Sequence, residues 1–452
     1  YYTRADNFGG IYKRVAERLS DRALDLVQEN PYVLASDLMP LSRFSGNYFI
    51  MPENAVLKLN GTGYRLTDFD GKPVIPDSDA LNWEVEQLDR MGYPTYMEKE
   101  MSQQPDVIYR TVKNRIVNGL PDFSSDHLDD EYLEGTDEIN IVACGTSYHA
   151  GLVGKYLMEK YARIHVNVYL ASEFIYSDFV MSRNSLTIGI SQSGETIDTL
   201  EALRLVKESG GRCLSILNVR GSSMSQLIEH NLFTEAGPEI AVASTKAYTC
   251  QIAVLYLLTA RMALIRNTMD KEKTADFICE LEKVPAACSE ILKEKREYEE
   301  MCRQFRDAES LFMIGRGLDY YALMEGSLKM KEISYIHSEA YASGELKHGP
   351  IALIDRNMPV IAAITQEKLL LKESNNIKEV RARNASVFVL IKKKYADALQ
   401  QKVHMCLLPD LEDDFMIFPC VIALQMTAYY TALHRGLSVD KPRNLAKVVT
   451  VE

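Results

Sequence analysis

Residues 139–145 read I-N-I-V-A-C-G, and residues 311–317 read L-F-M-I-G-R-G. Each is an apolar run ending in glycine, the pattern of a strand buried on both faces that enters a tight turn. The echo continues downstream. S-L-T-I-G-I-S-Q at 185–192 is matched by P-V-I-A-A-I-T-Q at 359–366, and the two offsets, 172 and 174 residues, are nearly equal. Further apolar runs at 166–169 and 213–217 alternate with segments of helical period. This alternation predicts a parallel α/β sheet, and the kept offset predicts two tandem copies of one domain in preference to a single large sheet. A chance match of two apolar strands is the competing explanation.

Upstream of the first copy the grammar changes. Residues 1–30 carry apolar side chains at helical spacing (Ile11, Val15, Leu19, Leu24, Val27) and predict an amphipathic helix without evident chemistry. From 45 to 85, short alternating runs are punctuated by N-G-T-G at 60–63 and D-G at 70–71, which predicts hairpins. The polar, helical stretch from 95 to 135, with S-S-D-H-L-D-D-E-Y-L-E-G at 124–135, reads as a connector.

Length and composition narrow the function classes. At roughly 150 residues per domain, 452 residues allow about three domains. Lys plus Arg number 51 against 63 Asp plus Glu, a net charge of -12 that disfavours nucleic acid and anionic membrane as partners. Any phosphorylated substrate must be held by local donors. The eight cysteines (Cys144, Cys213, Cys250, Cys279, Cys288, Cys302, Cys406, Cys420) include no C-x-x-C pair, so neither structural zinc nor a disulfide scaffold is expected, and a reducing cytoplasmic compartment is. No uninterrupted apolar run reaches the roughly 18 residues of a membrane span, and no signal peptide is expected. The chain opens on Tyr1 where a native start would be Met, so Tyr1 is not expected to be the native N-terminus.

The sharpest local signal is S-Q-S-G-E-T at 191–196. Ser191, Ser193 and Thr196 offer hydroxyls, Gln192 a carboxamide and Gly194 a free backbone, all at a strand-to-helix turn where N–H groups and the helix dipole favour an anion. A phosphate held by neutral donors is one reading; a hydroxyl-rich helix cap is the other. Gly145-Thr146-Ser147 ends the first strand at the same sheet edge, where ligands bind in open α/β folds. Neither stretch has the spacing of a nucleotide-binding loop.

In the second copy the hydroxyl loop has become T-Q-E-K at 365–368, while the first helix has gained charge: Glu325, Lys329 and Glu332 stand at i, i+4 and i+7, on one face. A solvated salt-bridge stripe would look the same. The adjoining H-S-E-A-Y-A-S-G-E-L-K-H-G-P at 337–350 reads as a functional loop, with His348 ahead of Gly349-Pro350 suited to proton transfer, unless it is merely structural. At the end of the chain, Lys447 among Leu445, Ala446, Val448 and Val449 could be desolvated into an imine-forming amine, or lie in a frayed tail.

Together these residues resemble the isomerase half of the glucosamine-6-phosphate synthase family, the glutamine:fructose-6-phosphate amidotransferases, built from two sugar isomerase (SIS) domains. C-G-T-S at 144–147, S-Q-S-G-E-T at 191–196, V-A-S-T-K-A at 242–247, L-K-M-K-E-I-S-Y-I-H-S-E-A-Y at 328–341, G-E-L-K-H-G-P at 344–350 and P-R-N-L-A-K at 442–447 recur in order, over about 345 residues that begin at the Y-M-E-K-E-M-S-Q-Q-P linker at 96–105. The resemblance implies that Thr146, Ser147, Ser191, Gln192, Ser193 and Thr196 bind the sugar phosphate, that Val242 and Ser244 line the sugar site, and that His348 opens the hexose ring from the neighbouring subunit of a homodimer. It implies that Lys447 forms an imine with fructose 6-phosphate and that Glu332 moves the proton between carbons 1 and 2, with Lys329 and Glu325 nearby. No cofactor and no metal are implied, and the product is glucosamine 6-phosphate.

The domain plan that follows is a partial glutaminase-type region at 1–92 with 1–30 unassigned, a linker at 93–136, SIS domains at 137–290 and 291–440, and a catalytic tail at 441–452. The family's glutaminase uses an N-terminal cysteine, whereas the first cysteine here is Cys144. Residues 31–85 resemble only the closing part of that domain, so a truncated enzyme using ammonia at best is expected. Two other readings stay open: a sugar-phosphate-sensing SIS module, opposed by the joint presence of Glu332, His348 and Lys447, and a fructosamine-6-phosphate deglycase, opposed by the glutaminase remnant.

Overall fold

The computed structural model describes residues 47–49, 55–60, 63–76, 78–80, 90–399 and 401–447. The chain divides into two compact units at Met91 and Gly92. In the first, strands Ala55–Asn60 and Gly63–Asp68 form an antiparallel hairpin with Asn60 opposite Gly63, at the N-G-T-G punctuation. Ala55, Leu57 and Leu66 supply its buried face. Asp68 Oδ1 then accepts the N–H groups of Asp70 and Lys72, closing the D-G turn. The helix expected at 1–30 lies outside the described residues.

The second unit holds two five-stranded parallel sheets. The first contains β1 (Glu138–Ala143), β2 (His165–Leu170), β3 (Ser185–Ser191), β4 (Arg212–Leu217) and β5 (His230–Phe233), in the order β5-β4-β3-β1-β2. The second contains β6 (Ser310–Gly315), β7 (His337–Ala342), β8 (Pro359–Ile364), β9 (Ser386–Lys392) and β10 (His404–Leu408), in the equivalent order β10-β9-β8-β6-β7. The central strands β3 and β8 are buried at every residue, which is why they read as unbroken apolar runs. β7 replaces the loop that the sequence predicts at its position. It is an edge strand with a single neighbour and half-exposed side chains, so its sequence lacks the apolar run that marks a strand.

Helices join and cover the sheets. α1 (Tyr96–Lys113) starts at Thr95, whose hydroxyl accepts the Glu98 N–H, and buries Met97, Met101, Ile108 and Val112 against the rest of the unit. The stretch that reads as a polar connector is thus packed, and the acidic run after it is tied down by Arg115–Asp126 at 2.5 Å and Arg261–Asp130 at 2.7 Å. α2 (Gly145–Leu157) and α3 (Ile197–Glu208) follow β1 and β3; α6 (Leu318–Ser334) and α7 (Leu370–Arg381) are their counterparts in the second copy.

Between and after the sheets run α4 (Lys246–Ile265), α5 (Lys271–Ile291) and α8 (Ile417–His434). The segments Lys246–Ile265 and Asp413–His434, each of hydropathy 1.5, are long and apolar enough to cross a membrane, which a search for uninterrupted apolar runs overlooks. Their most apolar windows are 83% and 94% buried inside the protein, so here that apolarity serves a shared core.

Candidate active site

The loop after β3 is built to present hydroxyls. Ser191 Oγ accepts the Gly194 N–H at 3.0 Å and lies 3.0 Å from Thr196 Oγ1, while Ser193 Oγ accepts the Glu195 N–H. Gly194 has φ +70°, and a Cβ there would stand 2.1 Å from the buried Ser222 Oγ, so only glycine fits this turn. Thr196 precedes α3 without capping it through its side chain, so the helix-cap reading fails for that hydroxyl. On the neighbouring strand, Gly145 at φ +52° turns β1 into α2, and Ser147 Oγ accepts from Gln251 Nε2 at 3.0 Å.

Thr146 connects this edge to the charged helix. Its hydroxyl donates to Glu325 Oε1 at 3.1 Å and accepts from Lys329 Nζ at 3.1 Å. Lys329 also lies 3.4 Å from Glu325 and 2.5 Å from Glu332, and the other oxygen of Glu325 is 2.8 Å from His149 Nδ1. This is no solvated stripe: the side chains of Glu325 and Lys329 are fully buried and that of Glu332 is 21% exposed. Burial raises the Glu332 carboxyl above its ordinary value, opposed by the charge of Lys329 and reinforced by that of Glu325. For Lys329, burial favours the neutral amine, but the flanking carboxylates Glu332 and Glu325 outweigh it and hold the ammonium more tightly than usual.

The tail does not fray over its described length. Arg443 N–H donates to the Tyr335 hydroxyl and its guanidinium lies over the Tyr335 ring at 4.3 Å, pinning the tail to the end of α6. Lys447 Nζ then donates to Glu239 Oε2 at 2.6 Å and to the Ala241 carbonyl at 2.8 Å. An apolar nest for the amine is therefore not what is found: Leu445 is exposed, and the amine meets a buried carboxylate. Burial alone would raise Glu239, but Lys447 and the N–H groups of Thr245 and Ala247 prevail and hold it at about 2. The charge of Lys447 is felt at Glu332, and that of Glu239 at Lys329, so tail and helix face one electrostatic site.

Val242 and Ser244 are half-buried on the segment between β5 and α4, where Val242 N–H donates to the Asp440 carbonyl. His348 is the exposed last residue of the 3-10 turn Ser343–His348, and its side chain makes no hydrogen bond or ion pair among the described residues. A cleft of about 390 Å³ runs between α2 and α6 beside Gly145 and His149; the 191–196 loop does not line it. Sequence reasoning missed His149 and Glu239. The latter lies in G-P-E-I-A-V-A, where a lone carboxylate inside an apolar run was an available signal.

The second copy explains its own lost loop. Asp319, the counterpart of Ser147, accepts the Thr365 N–H at 3.0 Å and the Thr365 hydroxyl, and Asp413 accepts the Glu367 N–H at 2.7 Å. Burial pushes Asp319 up to about 6. Two of the chain's own carboxylates thus take donors of the loop equivalent to 191–196. Among the described residues, no group of three or more His, Cys, Asp or Glu side chains is arranged to hold a metal, and all eight cysteines are unpaired.

Fold and site define a protein of two SIS domains, and the SIS domain family model matches residues 132–261 and 304–435. Among curated relatives, a "glutamine--fructose-6-phosphate aminotransferase [isomerizing]" of Caldanaerobacter subterraneus subsp. tengcongensis is 42% identical over 93% of this chain and 69% of its own. The protein of that name from Methanosarcina acetivorans is 38% identical over 92% of this chain and 68% of its own. Among solved structures, the C-terminal domain of glucosamine-fructose-6-phosphate aminotransferase from Francisella tularensis superposes with a TM-score of 0.76 at 39% identity, over 78% of this chain and all of that one. The tagatose-6-phosphate ketose/aldose isomerase of Escherichia coli, at 17% identity and TM-score 0.66, shares the fold. The chain belongs to the isomerizing glutamine–fructose-6-phosphate aminotransferases.

Proposed function

We propose that this chain converts fructose 6-phosphate to glucosamine 6-phosphate, with nitrogen from ammonia or from glutamine hydrolysed in a glutaminase module. The observation that carries the reading is the buried Glu325–Lys329–Glu332 face, joined through the Thr146 hydroxyl to the turn that follows β1. The phosphate would sit on the hydroxyls and amides of Ser191, Gln192, Ser193 and Thr196, beside Thr146 and Ser147. This anion needs no lysine in the loop because oriented N–H and O–H donors at two helix starts supply the positive potential. Val242 and Ser244 would line the sugar.

The Lys447 ammonium first gives up a proton to solvent; the amine then adds to the keto carbon of the opened sugar, the carbonyl oxygen leaves as water and a C=N bond remains. Ammonia displaces the lysine to give the sugar imine. Glu332 then takes a proton from carbon 1 and returns it to carbon 2, turning the ketose imine into the aldose amine. A carboxyl raised by burial suits both halves of that transfer, and Lys329 holds it in place. His348 would assist ring opening from a second subunit, in keeping with its exposure and with its lack of a hydrogen-bond or ion-pair partner among the described residues. The unpaired thiols agree with a reducing, cytoplasmic setting.

The test is to incubate the chain with fructose 6-phosphate and either ammonium or glutamine and to identify products by mass spectrometry. Glucosamine 6-phosphate is expected with at least one donor, and Lys447→Ala should abolish it. Tight sugar-phosphate binding without any product would turn the reading to a sensor. Ser191→Ala with Thr196→Ala should raise KM for the sugar phosphate at least tenfold; unchanged affinity would mean that the phosphate sits elsewhere.

A further inference from the structure

Lys447 is a long side chain near the end of an exposed tail, yet its amine has two defined acceptors, and the construction beneath them is specific. Glu239 divides its carboxylate. Oε1 accepts the N–H groups of Thr245 at 2.9 Å and Ala247 at 3.1 Å, at the start of α4, while Oε2 faces Lys447. The side chain of Glu239 is fully buried, so Oε2 is turned to the amine and not to water. The next two residues are clamped from the other side: Glu100 Oε1, on α1, accepts the N–H of Ile240 at 2.5 Å and of Ala241 at 3.2 Å. Residues 239–241 are thereby held by two helices, and Glu239 Oε2 and the Ala241 carbonyl on this segment meet Lys447 Nζ.

We propose that Glu239 is a positioning residue: its Oε2 and the Ala241 carbonyl form a two-acceptor berth that holds the Lys447 amine in one position before the sugar arrives. The inference rests on the imine role of Lys447 proposed above. A flexible four-carbon stem samples many rotamers, and a berth that pre-selects one removes that cost from the attack on the keto carbon. A general structural ion pair would do as well anywhere on the tail. What marks this one as a berth is that its carboxylate is buried and shared with a helix start, and that the backbone beside it is clamped by Glu100.

Glu239→Gln isolates the contact. The retained Oε1 still accepts from Thr245 and Ala247, while the new amide N–H groups oppose the lysine donor. The experiment measures steady-state kinetics, thermal melting, and borohydride trapping of the fructose 6-phosphate adduct on Lys447 by peptide mass spectrometry. The expected result is a kcat at least tenfold lower, a KM for the sugar phosphate within about twofold of the parent, and adduct formation slowed in step with kcat. Glu239→Asp, which keeps a carboxylate, should recover part of kcat. A parent-like rate of adduct formation in Glu239→Gln, or a loss confined to melting temperature and KM, would overturn the proposal while leaving the imine role standing. Failure to trap any adduct on Lys447 of the unaltered chain would overturn the imine role itself, and the berth with it.

Discussion

In the proposed reaction Glu332 is the base, and its surroundings set two expectations. Glu332→Gln keeps the shape and the Lys329 contact but cannot accept a proton, so kcat should fall by about 10²–10⁴-fold with sugar-phosphate binding retained. Because burial raises the Glu332 carboxyl above its ordinary 4.5, the acidic limb of the pH–rate profile should lie above that value; a limb at or below it would remove Glu332 as base. Glu100 yields a stability counterpart. Burial, with the charge of Glu239, raises it from 4.5 to about 7, so the folded chain binds this proton more tightly than the unfolded chain. The favourable contribution is complete below about pH 4.5 and is lost as pH climbs to about 7, a slope worth about 3 kcal/mol at most. Glu100→Gln still accepts from Ile240 and Ala241, and melting curves should show that slope flattened. The slope is the readout, because the new amide donor enters a pocket where Glu100 Oε2 has no hydrogen-bond partner, which costs stability at every pH.

At the scale of elements, the two copies share a strand order and differ in what fills the turn after the third strand. In the first copy serines stand at that turn, where the proposed function seats the phosphate; in the second, Asp319 and Asp413 accept the turn's Thr365 and Glu367 N–H groups. The chain should therefore bind one sugar phosphate per subunit, and titration calorimetry with fructose 6-phosphate should give a stoichiometry near one; a value near two would mean that the second loop is also open. Asp319→Ala should cost about 2–4 kcal/mol, since it leaves the Thr365 N–H buried without an acceptor.

The repeat itself was legible because central parallel strands are buried on both faces and must be apolar throughout, whatever their ligand chemistry. β7 was not legible, because an edge strand with one partner can be polar, and H-S-E-A-Y-A carries no run. The helix face of Glu325, Lys329 and Glu332 could be placed in sequence, but its burial could not: i, i+4 spacing is the same on a wet face and a dry one, and only packing of α6 between α2 and α8 decides. Glu239 and His149 escaped notice because each acts through a partner far along the chain, 208 residues away for Glu239 and Lys447 and 176 for His149 and Glu325.

At the scale of the whole molecule, the proposed reaction draws on a second subunit. Lys447, Glu332 and the 191–196 loop belong to one polypeptide, whereas His348 stands exposed on the turn Ser343–His348, without a hydrogen-bond or ion-pair partner among the described residues. If a second subunit supplies it, defects at His348 and Lys447 must complement each other in one direction only. In a dimer of a His348→Ala chain and a Lys447→Ala chain, one site unites an intact Lys447 with an intact His348, and the other lacks both. Co-expression with two affinity tags and sequential purification isolates that mixed dimer. Each parental homodimer should be nearly inactive, and the mixed dimer should recover about half of the unaltered activity, the share expected for one working site of two in a symmetric pair. Were His348 to act within its own chain, both sites of the mixed dimer would carry a defect and no activity would return.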